Sequence, residues 1–98
     1  MEKYSVRTID EAGRIALHSD IRKKLNLNTG DEVSLTLVGT ILILQRKADA
    51  SESANAVCQV NNVGMIDLPT ELRQKLNWKV LDKVSMYLTD DMVIIKSA

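Results

Sequence analysis

The chain repeats itself. Displaced by 51 positions, residues Val6–Lys47 fall on Val57–Ala98 without a gap, and 13 of the 42 aligned positions are identical. Gly13-Arg14-Ile15-Ala16-Leu17 falls on Gly64-Met65-Ile66-Asp67-Leu68, and Ile21-Arg22-Lys23-Lys24-Leu25-Asn26 on Leu72-Arg73-Gln74-Lys75-Leu76-Asn77. Asp31, Val33 and Ser34 fall on Asp82, Val84 and Ser85. A duplication of this kind constrains the fold more than any single motif, because each unit must find its missing core in the other.

Size sharpens that constraint. The whole chain has 98 residues, and a domain this short buries only about 60–65% of its unfolded surface. Each copy reads as ββαββ. In the first, Tyr4–Asp10 and Arg14–Leu17 are strands separated by a turn at Glu11-Ala12-Gly13. Ser19–Asn26 has Ile21 and Leu25 on one helical face, with His18 or Ser19 as cap. Val33, Leu35 and Leu37 alternate with polar residues as a half-buried strand does, Gly39 turns, and Ile41–Leu44 returns. The second copy repeats the pattern with strands at Val57–Asn61 and Met65–Leu68 and a helix over Thr70–Asn77 after Pro69. Val84, Met86 and Leu88 then alternate, and Met92–Lys96 returns. Four short strands and a two-turn helix cannot close a core alone. The expected fold is therefore mostly β (α+β), with the strands of the two copies interleaved into one barrel-like sheet. Residues 1–47 form the first copy, 48–55 a small polar linker, and 56–98 the second. Eight linker residues span roughly 16 Å as a coil and about 28 Å extended, enough for direct packing.

Composition narrows the function. Lys and Arg number 13, Asp and Glu number 13, and aromatic residues are 3% with no Phe. Zero net charge argues against a basic sleeve around nucleic acid but leaves room for a local basic patch. The single cysteine, Cys58, excludes an intrachain disulfide and reads as a small buried strand residue. Met65, Met86 and Met92 read as core or interface fillers. The sole histidine, His18, has no companion at metal spacing, so no metal or cofactor is expected. Nor does any nucleophile, glycine-rich phosphate loop or metal cluster point to an enzyme. No apolar run reaches membrane length and no secretory leader opens the chain, so a cytoplasmic location is expected.

The motifs Val6-Arg7-Thr8-Ile9-Asp10-Glu11-Ala12-Gly13-Arg14-Ile15, Ile21-Arg22-Lys23-Lys24-Leu25 and Gly30-Asp31-Glu32-Val33 resemble the AbrB/SpoVT/MazE swapped-hairpin family. The second copy matches more weakly through Gly64–Arg73 and Asp82-x-Val84. Tandem copies are also similar to MraZ, but the second copy lacks the Asp-x-x-x-Arg seen at Asp10–Arg14. The resemblance implies an AbrB-like swapped-hairpin β-barrel that binds double-stranded DNA, as a nucleoid-associated transcription regulator of a prokaryote or phage. By resemblance, Arg7, Arg14, Arg22 and Lys23 match the family's DNA-contacting positions.

Comparing the copies refines this set. Arg7 corresponds to Cys58, Arg14 to Met65 and Lys23 to Gln74, whereas Arg22 persists as Arg73. Positions shared by both copies are expected to serve the fold, and Arg22 and Arg73 are expected to pair with the shared acids Asp31 and Asp82. Asp10 either orients Arg14 or caps the turn. Trp78, aligned with Leu27, reads as core or interface and not as a base-stacking platform. Residues 1–49 carry 8 basic and 7 acidic side chains, against 5 and 6 in residues 50–98. With only one basic half per chain, DNA binding is expected to need a homodimer or higher oligomer. The competing expectation is an antitoxin-like or other protein-binding module. A toxin-wrapping tail is not expected, because the chain stops at Ala98 straight after the last strand.

Overall fold

The computed structural model describes residues 2–50 and 53–98, with side chains from residue 5 onward. The first copy contributes β1 (Glu2–Thr8), β2 (Arg14–Ala16), α1 (Ser19–Lys24), β3 (Glu32–Val38) and β4 (Ile41–Arg46). The second contributes β5 (Ala56–Gln59), β6 (Met65–Asp67), α2 (Thr70–Leu76), β7 (Lys83–Leu88) and β8 (Val93–Ser97). In the segment read as a linker, one 3-10 turn covers Lys47–Asp49. Asn55 bonds to β3 through its backbone N–H to Leu35 and its Oδ1 from Leu37. Ser51 and Glu52 lie outside the described residues, as does Met1.

Strand pairing alternates between the copies. The main sheet runs β1-β7-β8-β4-β3-β5, all neighbours antiparallel, and β2 pairs β6 in a separate two-stranded ladder. The first strand of each copy thus adds to the C-terminal hairpin of the other. The backbone links across the copies recur 51 residues apart. Arg7 stands opposite Val84 and Cys58 opposite Val33. Leu17 N–H donates to Gly64 and Leu68 N–H to Gly13; Ile9 N–H donates to Asp82 and Val60 N–H to Asp31. The pseudo-two-fold axis passes where equivalent residues face each other, at Ile15–Ile66 and at Ile43–Ile94. In hydrogen bonding the sheet is open: β1 and β5 are its edges, and no ladder among the described residues closes one on the other.

The core lies between these layers. Ile9, Ile15, Ile21, Leu35, Leu42 and Leu44 of the first copy meet Val60, Ile66, Val84, Met86 and Ile95 of the second, all within 2% of full burial. Neither copy owns a core of its own, which is the packing consequence of two marginal units sharing one interior. Trp78 is buried, and its Nε1 donates to Ser97 Oγ at 2.9 Å, satisfying the indole that replaces Leu27. Met86 is fully buried, while Met65 and Met92 are half-buried. Both helices are shorter than their sequence pattern predicts, ending at Lys24 and Leu76. Asn26 (φ 54°) and Asn77 (φ 56°) take left-handed backbone there, the conformation Asn tolerates at helix ends.

Candidate nucleic-acid interface

The loop between β1 and β2 leads into Arg14, the first residue of β2, and is held from four directions. Asp10 Oδ1 accepts from the backbone N–H groups of Ala12 (2.9 Å) and Arg14 (2.8 Å). Gly13 N–H donates to Asp10 O, and Gly13 O accepts from Leu68 N–H across the copies. The Arg73 guanidinium rests on Gly13, which has φ +80°; a Cβ there would lie 2.8 Å from Arg73 Cζ. Arg14 Nε donates to Asp67 Oδ1 at 2.7 Å, across the β2–β6 ladder where the two residues face each other.

Asp10 is therefore the cap of the turn, and the partner of the Arg14 head group is Asp67. Asn61 performs the same capping in the second copy, its Oδ1 accepting from Val63 and Met65. An uncharged amide suffices because the task needs one sp² oxygen. The Arg14–Asp67 pair stays at the surface, with side chains 45% and 65% exposed. The hydrogen bond and charge of Asp67 raise the Arg14 pKa further.

Arg7 sits on β1, on the face it shares with Val84. It is half-buried, and no protein group accepts from its buried Nε. No hydrogen bond or ion pair joins Arg7 to Arg14 or to an acid among the described residues. The equivalent Cys58 is half-buried, and burial, with a smaller contribution from Asp67, pushes its thiol up to about 11. Lys23 is exposed on α1.

Arg22 departs from expectation. Its Nε donates to Leu17 O at 3.1 Å, and its guanidinium packs on Gly64, the turn of the other copy. Arg73 does the same to Leu68 O at 2.9 Å and to Gly13. The expected pairing with Asp31 and Asp82 is not formed. Those carboxylates cap their own turns, accepting from the N–H groups of Asn28 and Lys79. The carbonyls of Leu17 and Leu68 take the Nε donors, and the two carboxylates are engaged by backbone N–H groups of their own turns. Two signals in the sequence match this arrangement: Arg22 with Arg73 and Gly13 with Gly64 are among the 13 identities shared by both copies.

His18 is the N-cap of α1, its Nδ1 accepting from Asp20 N–H at 3.2 Å. No group of three or more His, Cys, Asp or Glu side chains is arranged for a metal among the described residues. No helix of the described residues is long and apolar enough to cross a membrane.

No family model matches the chain, and no curated protein matches it. Among solved structures it is similar to the solution structure of PHS018 from Pyrococcus horikoshii. The two share 19% identity and a TM-score of 0.57 over 99% of this chain and 94% of that one. At this identity the likeness is one of fold.

Proposed function

We propose that the chain is a double-stranded DNA-binding regulator of AbrB/SpoVT type, built as a swapped-hairpin barrel, that meets DNA with its first copy. The observation that carries this reading is the Arg14 turn. A cation is presented at the surface, at the start of β2, where the preceding turn is capped by Asp10 and braced by the second copy. Such preorganisation favours recognition of a fixed polyanionic surface, because little side-chain and loop entropy remains to be lost. The interleaved strand order agrees with the family resemblance of the Asp-x-x-Gly-Arg-Ile and Gly-Asp-x-Val motifs.

Within this reading Arg14, Arg7 and Lys23 contact DNA, and Arg22 serves the fold first. The second copy, with Met65, Cys58 and Gln74 at the equivalent positions, is the scaffold. One basic half per chain calls for two chains on a two-fold site, and a regulator of this type would act at the nucleoid of a prokaryotic cell or phage-infected host. The test is a salt titration of binding to random-sequence duplexes with stoichiometry measured. Log K is expected to fall linearly with log salt, at two or more chains per duplex. A tight complex of one chain per duplex contradicts the oligomer, and absence of binding contradicts the function.

A protein-binding role is the second reading. Val63 (68% exposed), Leu81 (63%) and Val80 (42%) are apolar surface residues of the second copy, where the first has Ala12, Gly30 and Thr29.

A further inference from the structure

We infer that Asp67, a residue of the second copy, is a specificity-determining positioning residue that aims Arg14 at a guanine edge in preference to a phosphate. The inference rests on the DNA-binding reading above and goes further, to the chemistry of what Arg14 recognises.

Asp67 engages one donor of the guanidinium, Nε, at 2.7 Å. Neither Nη of Arg14 is bonded to a protein group among the described residues, and the side chain is nearly half exposed. The terminal fork is thus held by its base and left open at its tip. The backbone beneath cannot swing freely, because Asp10 caps Arg14 N–H and Arg73 covers Gly13. A fork fixed in this way suits a ligand with two acceptors side by side.

Charge chooses between the two ligands that offer such acceptors. The Arg14–Asp67 pair is close to neutral as a unit, and the Asp67 carboxylate would stand beside any anion that Arg14 bound. A phosphate meets that repulsion; the O6/N7 edge of guanine, which carries two acceptors and no net charge, does not. The first copy has Ala16 at the position equivalent to Asp67, opposite Met65, so only one end of the β2–β6 ladder carries this device. Reading from one end per chain gives each chain a single guanine-directed contact.

The test uses the full chain with Asp67→Ala, Asp67→Asn and Asp67→Glu, after confirming unchanged thermal midpoints for these exposed substitutions. Binding is measured by selection from a random duplex library, and by salt titration on an alternating A·T duplex that lacks guanine. The wild type is expected to enrich guanine at one position per chain. Asp67→Ala and Asp67→Asn are expected to lower that preference about 10-fold. They are also expected to bind the A·T duplex more tightly, with a salt slope steeper by up to about 0.9, as Arg14 turns to phosphate. Asp67→Glu is expected to recover part of the guanine preference. Guanine preference and slope both unchanged in Asp67→Ala, or affinity lowered equally on all duplexes, overturns the inference while leaving DNA binding intact. A wild-type chain that binds neither duplex overturns the inference together with the reading it rests on.

Discussion

The Arg73 guanidinium of the second copy lies on Gly13 of the first, so close that a methyl group at Gly13 would meet Arg73 Cζ at 2.8 Å. Gly13 also has φ +80°, a backbone state in which a side chain is strained. Gly13→Ala is therefore expected to destabilise the chain by about 1–2 kcal/mol, from backbone strain and from displacing a guanidinium that Leu68 O and Thr70 Oγ1 hold in place. Gly30→Ala, at φ +87° but with open space around it, is expected to cost only the backbone part, about 1 kcal/mol. Urea unfolding of the two variants checks the order; equal losses would mean that the Arg73 contact carries no weight.

Much of this architecture is legible from the repeat. The alternation of Val33, Leu35 and Leu37, and the inability of one copy to close a core, lead to strands shared between copies, which is how β1 meets β7 and β5 meets β3. The partner of Arg14 is not legible. β2 and β6 have three residues each, and one residue of slippage would set a different side chain opposite it. The roles of Arg22 and Arg73 are hidden for another reason. Their partners are a carbonyl and a glycine, and neither advertises itself as the acidic side chains do. For Asp10 the sequence leaves two roles open, and the structure selects the second: its oxygen serves the backbone of the turn and not the arginine side chain beside it.

Leu81 has φ 73° where the first copy has Gly30, and its side chain is 63% exposed. Little burial offsets the strain of a left-handed leucine. Leu81→Gly is expected to stabilise the chain by about 0.5–1 kcal/mol, net of the added freedom of the unfolded chain. A higher urea midpoint with an unchanged m-value is the expected result; a loss of more than about 1 kcal/mol would show that the Leu81 side chain makes contacts its exposure conceals.

Cys58 makes stability depend on pH on the alkaline side. Its folded pKa is raised from 9.0 to about 11, chiefly by burial and secondarily by Asp67. The unfolded chain therefore loses this proton first. The stability tied to the protonated thiol is complete below pH 9 and is lost as pH rises toward about 11. The difference in unfolding free energy between wild type and Cys58→Ala, measured from pH 7 to 11, is expected to shift against the wild type across that window. A pH-independent difference contradicts the raised value. Alkylation of the folded thiol at pH 8 is expected to be about 100-fold slower than in urea.

Arg22 and Lys23 adjoin on α1 but are expected to separate fold from binding. Arg22→Ala strips Leu17 O of its charged donor and uncovers Gly64, and is expected to cost about 1–3 kcal/mol of stability. Lys23→Ala, at an exposed position, is expected to change stability by less than about 0.5 kcal/mol. It is also expected to reduce the salt slope of duplex binding by about 0.9. Thermal unfolding and fluorescence anisotropy on the same preparations distinguish the two. Equal stability losses would remove the distinction.

The central claim is that the first copy presents its arginines to DNA while the second supplies the brace. It is tested most directly by the affinity of the Arg7→Ala/Arg14→Ala double variant for a random-sequence duplex, across a salt series, beside the wild type. The account predicts binding at least about 10-fold weaker at low salt with a shallower salt dependence and an unfolding midpoint close to that of the wild type. Equal affinity and equal salt dependence in the two proteins would contradict it.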